Sequence, residues 1–312
     1  MVSALLTELA GGLVRGVSWS LEGPVLSLIT VDGGAKLPLS AGQWLRFSVE
    51  SGPAVAPRYC LGHMQVKGPT DSVHIPCPTG AAAERGYQCG RCFARDDFRF
   101  MHDFHRSGLG PAGLKAYLAQ PHWLYIATFA DGTTKVGTAS ERSKWSRLAD
   151  QGAVVAQYVA HARDGSVVRV LEDAVSAQLG LTQFVRGSAK FAALKNPQPT
   201  AELAVGNRKI ADVVRNFLKE QFTEGFETVG ESWLRPEFAD AVTGTLPRIA
   251  YPLALDAGEH GLRLDALLGG YALVGVDDSE SKFLLDLAAL KGHKIRFGAH
   301  TTQLPAVQEL LF

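Results

Sequence analysis

Apolar residues, many β-branched or aromatic, dominate residues 12–20, 24–31 and 43–49. Gly23, Asp32-Gly33-Gly34 and Ala41-Gly42 break these runs, so three strands are expected. The pattern lapses over residues 55–95, a Gly-, Pro- and Cys-rich stretch expected to be irregular. Residues 111–119 suit a short helix opening at Pro111, where proline is tolerated.

Residues 123–129 read as a strand with aromatics at alternate positions, and Asp131-Gly132 is a strong two-residue hairpin signal leading into a second strand over 133–138. A helix is expected over 140–150 with Ser140 as N-cap, then a strand over 154–160. Residues 166–179 read as an amphipathic helix with Val167, Val170, Leu171, Ala174 and Val175 on one stripe. A second helix over 207–222 turns Ile210, Val213, Val214, Phe217 and Leu218 inward. Strands resume over 267–276 and 294–297.

The pattern predicts an α+β chain. Its expected parts are a β-rich segment (1–54), a cysteine module (55–110), an α/β core (111–200), and a helical segment with closing strands (201–312). Those closing strands are expected to pack back on the N-terminal sheet.

Composition narrows the classes. With 312 residues, 46% of them hydrophobic, and 31 basic against 31 acidic side chains, the chain is neither disordered nor fibrous. No apolar run reaches the ~18–20 residues of a membrane span, and Glu8 interrupts what would be the apolar region of a leader. A cytoplasmic protein without a membrane partner is expected. Zero net charge opposes a strongly basic nucleic-acid binder. One local excess of +5 runs from Arg186 to Lys219, with Arg208, Arg215 and Lys219 on one helical face. It is either a surface for DNA or RNA or an ordinary solvated face.

The cysteines are Cys60, Cys77, Cys89 and Cys92, within 33 residues. Four clustered thiols with none to spare fit one closed, structural zinc site, and Cys89-Gly-Arg-Cys92 supplies a knuckle. A redox pair or four inert thiols are the alternatives. His63, His74, His102 and His105 lie in the same stretch and could replace a ligand. His102 and His105 read more simply as a solvent-facing pair.

Between residues 122 and 180 the expected hairpin, helix, strand and helix carry Tyr125, Lys135-Val-Gly137, Arg147 and Glu172. Phosphodiester hydrolysis needs an activated water, a cation on the phosphoryl oxygens and help for the leaving oxygen. Glu172 could hold one Mg²⁺ or Mn²⁺, Arg147 could fork onto phosphate, and Tyr125 or Lys135 could handle a proton. Each also has a plainer reading, as strand aromatic, solvated lysine, surface ion pair or helix-end carboxylate. Arg142 and Lys144 compete with Arg147 for its role.

This arrangement resembles the GIY-YIG nuclease module. Tyr125 matches the tyrosine of the first motif half, Lys135-Val-Gly137 stands at the second half with lysine in place of tyrosine, and Arg147 and Glu172 follow in order. The resemblance implies a three-stranded sheet with Tyr125, Arg147 and Glu172 as catalytic residues. A wider likeness includes Gln88-Cys-x-x-Cys92, Asp150-Gln-Gly-Ala153, Tyr251-Pro252 and Gly269-Gly-Tyr271-x-Leu273. It is similar to a prokaryotic family of unknown function joining a zinc-ribbon-like module to a GIY-YIG-like one. That likeness implies fold rather than substrate; Lys135, Gly137 and Gln151 are the candidate substrate-binding positions. Three activities stay open: a metal-dependent nuclease, a nucleic-acid-binding protein without catalysis, and an enzyme of another class acting on a small anion in the same pocket.

Overall fold

The computed structural model describes residues 9–50, 58–101, 103–246, 248–277 and 279–304. Of four N-terminal strands, β1 (Gly11–Ser20), β2 (Gly23–Thr30) and β3 (Gly33–Pro38) form a meander, while β4 (Trp44–Val49) leaves it to pair elsewhere. Near the other end lie β11 (Ile249–Ala250), β12 (Gly258–Leu268), β13 (Tyr271–Val276), β14 (Lys282–Asp286) and β15 (Lys294–Phe297). All nine join in one sheet ordered β11-β14-β13-β12-β4-β15-β1-β2-β3. Gly11 pairs with Arg296 and Leu45 with Leu262, so the two ends of the described chain interleave. The strand expected over 267–276 is two strands, because Gly269 takes a left-handed conformation (φ +61°) and turns the chain back.

The middle of the chain forms a second sheet of four strands, not three. Its order is β10 (Phe226–Ser232), β9 (Val155–Ala162), β7 (His122–Thr128), β8 (Thr134–Ser140). β10 is half exposed with weak alternation and gains its place by pairing along β9. Asp131-Gly132 makes the turn into β8, with Gly132 at φ +86° and the Asp131 carboxylate accepting the Thr133 N–H.

Strand alternation gives this sheet two faces. Leu124, Ile126, Val136 and Val159 pack against helices Gly165–Leu179 and Thr200–Gln221. Tyr125, Ala127, Ala139 and Tyr158 share a cluster with Leu148 and Ala149 of helix Lys144–Asp150. That cluster continues into Val14, Trp19, Leu264 and Leu267 of the large sheet, so the short helix is held between the two sheets.

Both long helices depart from the expected stripes. Helix Gly165–Leu179 buries Val168, Leu171, Glu172 and Val175, while Val170 is 48% exposed. The inward stripe is therefore rotated, and Glu172 lies on it. Asp164 caps this helix, its Oδ1 accepting the N–H groups of Ser166 and Val167 at 2.9 and 2.8 Å, worth about 1 kcal/mol. Helix Thr200–Gln221 starts earlier than expected, just after Pro199, and buries Leu203, Asn207, Ala211, Val214 and Leu218, leaving Val213 exposed. Asn207 is tolerated inside because its Nδ2 donates to the Ile126 carbonyl and the Thr128 hydroxyl. Ser140 makes no cap bond, and a 3-10 turn, Glu141–Ser143, precedes helix Lys144–Asp150.

The cysteine stretch is more regular than its composition suggests. A hairpin of β5 (His63–Val66) and β6 (Ser72–Ile75) and a short helix, Gly90–Arg95, surround the thiols. Among the described residues no helix is long and apolar enough to cross a membrane.

Candidate functional site

The four cysteine sulfurs lie within 4.8 Å of one another, a group that could hold a metal ion. Tetrahedral Zn–S bonds of ~2.3 Å would place sulfurs ~3.8 Å apart, so a small contraction closes the set. Burial pushes the Cys60 thiol up, and the N–H groups of Cys89 and Gly62, which donate to its Sγ at 3.1 and 3.3 Å, offset part of that. Gly62 has φ +89°, and a Cβ there would strike the Ile75 carbonyl, so only glycine fits beside the first ligand.

Among the described residues no histidine joins this group. His74 Nε2 bonds the Leu61 carbonyl at 2.6 Å, and His63 is buried on β5. His105 is not solvent-facing. Its side chain is 7% exposed and meets Asp173 on helix Gly165–Leu179 at 3.2 Å. His102 lies outside the described residues.

A cleft of about 790 Å³ opens beside β8, lined in part by Tyr125, Lys135, Gly137, Arg147, Gln151 and Glu172. All six positions singled out in the core by the sequence thus reach one hollow. Tyr125 and Gly137 are cross-strand partners, with Lys135 two residues earlier on the same face. The Tyr125 ring is fully buried, and its hydroxyl accepts a hydrogen bond from Gln151 Nε2 at 2.7 Å. Lys135 Nζ stands 5.7 Å from the Tyr125 ring centre and donates to the Gln183 carbonyl at 3.1 Å.

Helix Lys144–Asp150 brings Arg147 over this face. Of its competitors, Lys144 turns away to Glu231 and lies over Trp123, while Arg142 donates to the Thr70 carbonyl. Glu172 approaches from helix Gly165–Leu179, ion-paired with Arg169 one turn earlier.

Two residues were visible in the sequence only as ordinary charges. Arg169 shares the Glu172 helix face. Lys190, on helix Gly187–Ala193, donates to the Gln151 carbonyl at 3.0 Å and lies 4.2 Å from the Phe129 ring centre. The rest of the basic run disperses: Arg215 is committed to Asp212 and Gln157, whereas Arg186, Arg208 and Lys219 stay on the exposed surface.

The electrostatics are those of a partly dry, cationic hollow. Lys135, Arg147, Arg169 and Lys190 face Glu172 and Asp150. Burial lowers Lys135 to about 8, with repulsion from Arg147 adding and Glu172 opposing. Lys190 falls to about 8 through burial and then the Lys135 and Arg147 charges. Burial lifts Glu172 to about 7 against the pull of Arg169 and Lys135, and it raises Tyr125. A bound anion would raise both lysines again by favouring their charged forms.

Two distant segments hold the hollow in shape. The Trp19 N–H donates to Asp150 Oδ1 at 2.7 Å, and Trp19 Nε1 to the Gly269 carbonyl at 2.9 Å. A Cβ on Gly269 would meet the Gly152 backbone at 2.8 Å. The Tyr271 hydroxyl donates to the Gly187 carbonyl at the head of the Lys190 helix. Segments 150–153 and 269–273 therefore touch, beside Gln151 and the helix that carries Lys190. From the other side, Phe98 and Met101, which follow the cysteine knuckle, form part of the wall. Asp96 and Asp97 tie that segment to the Met64 and Val66 N–H groups of β5. No family model, no curated protein and no solved structure matches this chain.

Proposed function

We propose that the chain is a metal-dependent, GIY-YIG-like nuclease or phosphodiesterase with a structural zinc site at Cys60, Cys77, Cys89 and Cys92. The supporting observation is the convergence of Tyr125, Lys135, Arg147, Gln151 and Glu172, with Lys190 and Arg169, on one cationic cleft. Arg147 and Lys190 grip the phosphate, and Lys135 balances charge on the phosphoryl oxygens. Gln151 orients the Tyr125 hydroxyl, which is a proton donor rather than a base here, because burial disfavours its phenolate. It is thus suited to protonating a leaving oxygen.

Glu172 is the one carboxylate on the buried stripe of its helix, and Mg²⁺ is commonly held by one or two carboxylates plus substrate phosphates. Because Arg169 pairs with this carboxylate and Lys135 also repels a bare cation, an ion would have to arrive with substrate phosphates and displace that pair. Such an ion would supply Lewis acidity and a lowered water pKa. Zinc fits the thiolates for a different reason, as a closed soft-donor set with no open position.

The test is cleavage of labelled DNA and RNA with Mg²⁺ or Mn²⁺ by wild type and Glu172→Ala. Loss of cleavage with binding retained supports the reading. Binding without cutting by either protein sinks catalysis and leaves a nucleic-acid-binding protein. A second reading, a small anionic substrate, is favoured by the burial of Tyr125, Lys135 and Glu172 in the hollow. Failure to bind DNA or RNA at about 50 mM salt would move the assignment there.

A further inference from the structure

Among the described residues, Phe184 is the only Phe, Tyr or Trp that is exposed, at 72%. It stands on the rim of the cationic cleft. A lone exposed apolar side chain elsewhere would need no explanation. Here the mounting matters. The Val136 N–H donates to the Thr182 carbonyl at 3.0 Å, anchoring the segment to β8. Thr182 Oγ1 accepts the Phe184 N–H at 3.2 Å and donates to the Phe184 carbonyl at 2.8 Å. Between them, the Gln183 carbonyl accepts from Lys135 Nζ, and Gln183 Nε2 donates to Asp173. A cation of the cleft is thus bonded to the residue next to a rigidly held, open aromatic face.

We infer that Phe184 is a stacking platform for a nucleobase, taken from a single-stranded segment whose phosphate lies among Lys135, Arg147 and Lys190. The inference rests on the phosphate-binding reading of the cleft and names the form of its substrate. A positive groove edged by an aromatic ring is the arrangement that binds single strands, because every unpaired base offers a π face. A continuous duplex keeps its bases stacked inside and would have to extrude one to reach Phe184. Charge complementarity selects the backbone, and the ring selects an unpaired base beside it.

The experiment compares binding of equal-length probes by the full chain: a single strand (DNA and RNA arms), the same strand in duplex, and an abasic strand with the same phosphates. Wild type is expected to prefer the single strand. Phe184→Ala should weaken that binding about tenfold, leave the abasic strand unchanged, and be rescued by Phe184→Trp. Its melting temperature should match wild type, since the ring is exposed. Equal weakening on the abasic strand, no effect on the single strand, or a wild-type preference for duplex would overturn the platform. The expected binding pattern without strand cleavage supports the platform and removes only the nuclease reading. Binding by no probe overturns both.

Discussion

The Tyr125 ring lies across the backbone of Gly137 on the adjacent strand, so closely that a Cβ there would overlap the hydroxyl end of the ring. The glycine is the space that the tyrosine occupies. Gly137→Ala is expected to destabilise the fold by about 1–3 kcal/mol, because a packed face has nowhere to move the ring. Displacement of Tyr125 should also break its bond from Gln151. Urea denaturation reads the first effect and anion affinity the second. An alanine variant with unchanged midpoint and unchanged affinity would contradict the packing.

Arg147 and Lys190 come from different helices to the same hollow. Each, replaced by alanine, should lower nucleic-acid affinity for all sequences alike and flatten the dependence of log affinity on log salt by about 1. Arg208→Ala, on the exposed face of helix Thr200–Gln221, should change neither. Titrations at several salt concentrations decide whether binding runs through the cleft or along that outer face.

The Glu172 carboxyl has a raised native pKa of about 7 against an ordinary 4.5. Below pH 4.5 both folded and unfolded chains hold the proton, and the group has no effect. Between 4.5 and about 7 the unfolded chain releases it first, so stability falls as pH rises, by on the order of 3 kcal/mol in total. Without added divalent cation, Glu172→Gln should remove this slope. Denaturation midpoints of the two proteins from pH 4.5 to 8 should diverge, with the variant gaining on wild type. Parallel curves would mean that the ion pair with Arg169 holds the carboxylate ionised.

The four thiols also bear on the cleft. Cys92→Ser, or extraction with a strong chelator, should reduce bound zinc from about one equivalent to near zero and lower the melting temperature, since metal affinity contributes to folding stability. Phe98 and Met101 follow that knuckle into the wall, so anion binding should weaken as well. Elemental analysis together with a melting curve checks the first part. A protein that keeps its melting temperature without metal would leave the cysteines a packing role.

Much of this was legible beforehand because it is local. The Asp131-Gly132 turn, β1, β2, β4 and Lys294–Phe297 carry their signals within a few residues, whereas β3, which opens on Gly33-Gly34, is not among the expected strands. The cysteines needed only spacing. What escaped depends on distant partners. β10 is a strand because β9 offers an edge, and helix Gly165–Leu179 rotates its stripe to meet β7 and β8, which buries Glu172 instead of Val170. Lys190 looked like one charge in a basic run until the tail around Tyr271 placed its helix over Gln151. Convergence of Tyr125, Lys135, Arg147 and Glu172 was a wager on spacing, since four elements had to stack in a particular order.

Because β1 finds its partner in β15 and β4 in β12, the large sheet is a late event in the life of each molecule. On a ribosome, the opening meander must wait with bare edges while the thiol module and central sheet emerge and begin to fold. Non-local pairing of this kind is slow and leaves strands open to wrong partners. The middle of the protein is therefore expected to mature first. Shielding of the early strands, by a chaperone or by rapid elongation, would then govern the yield of finished protein.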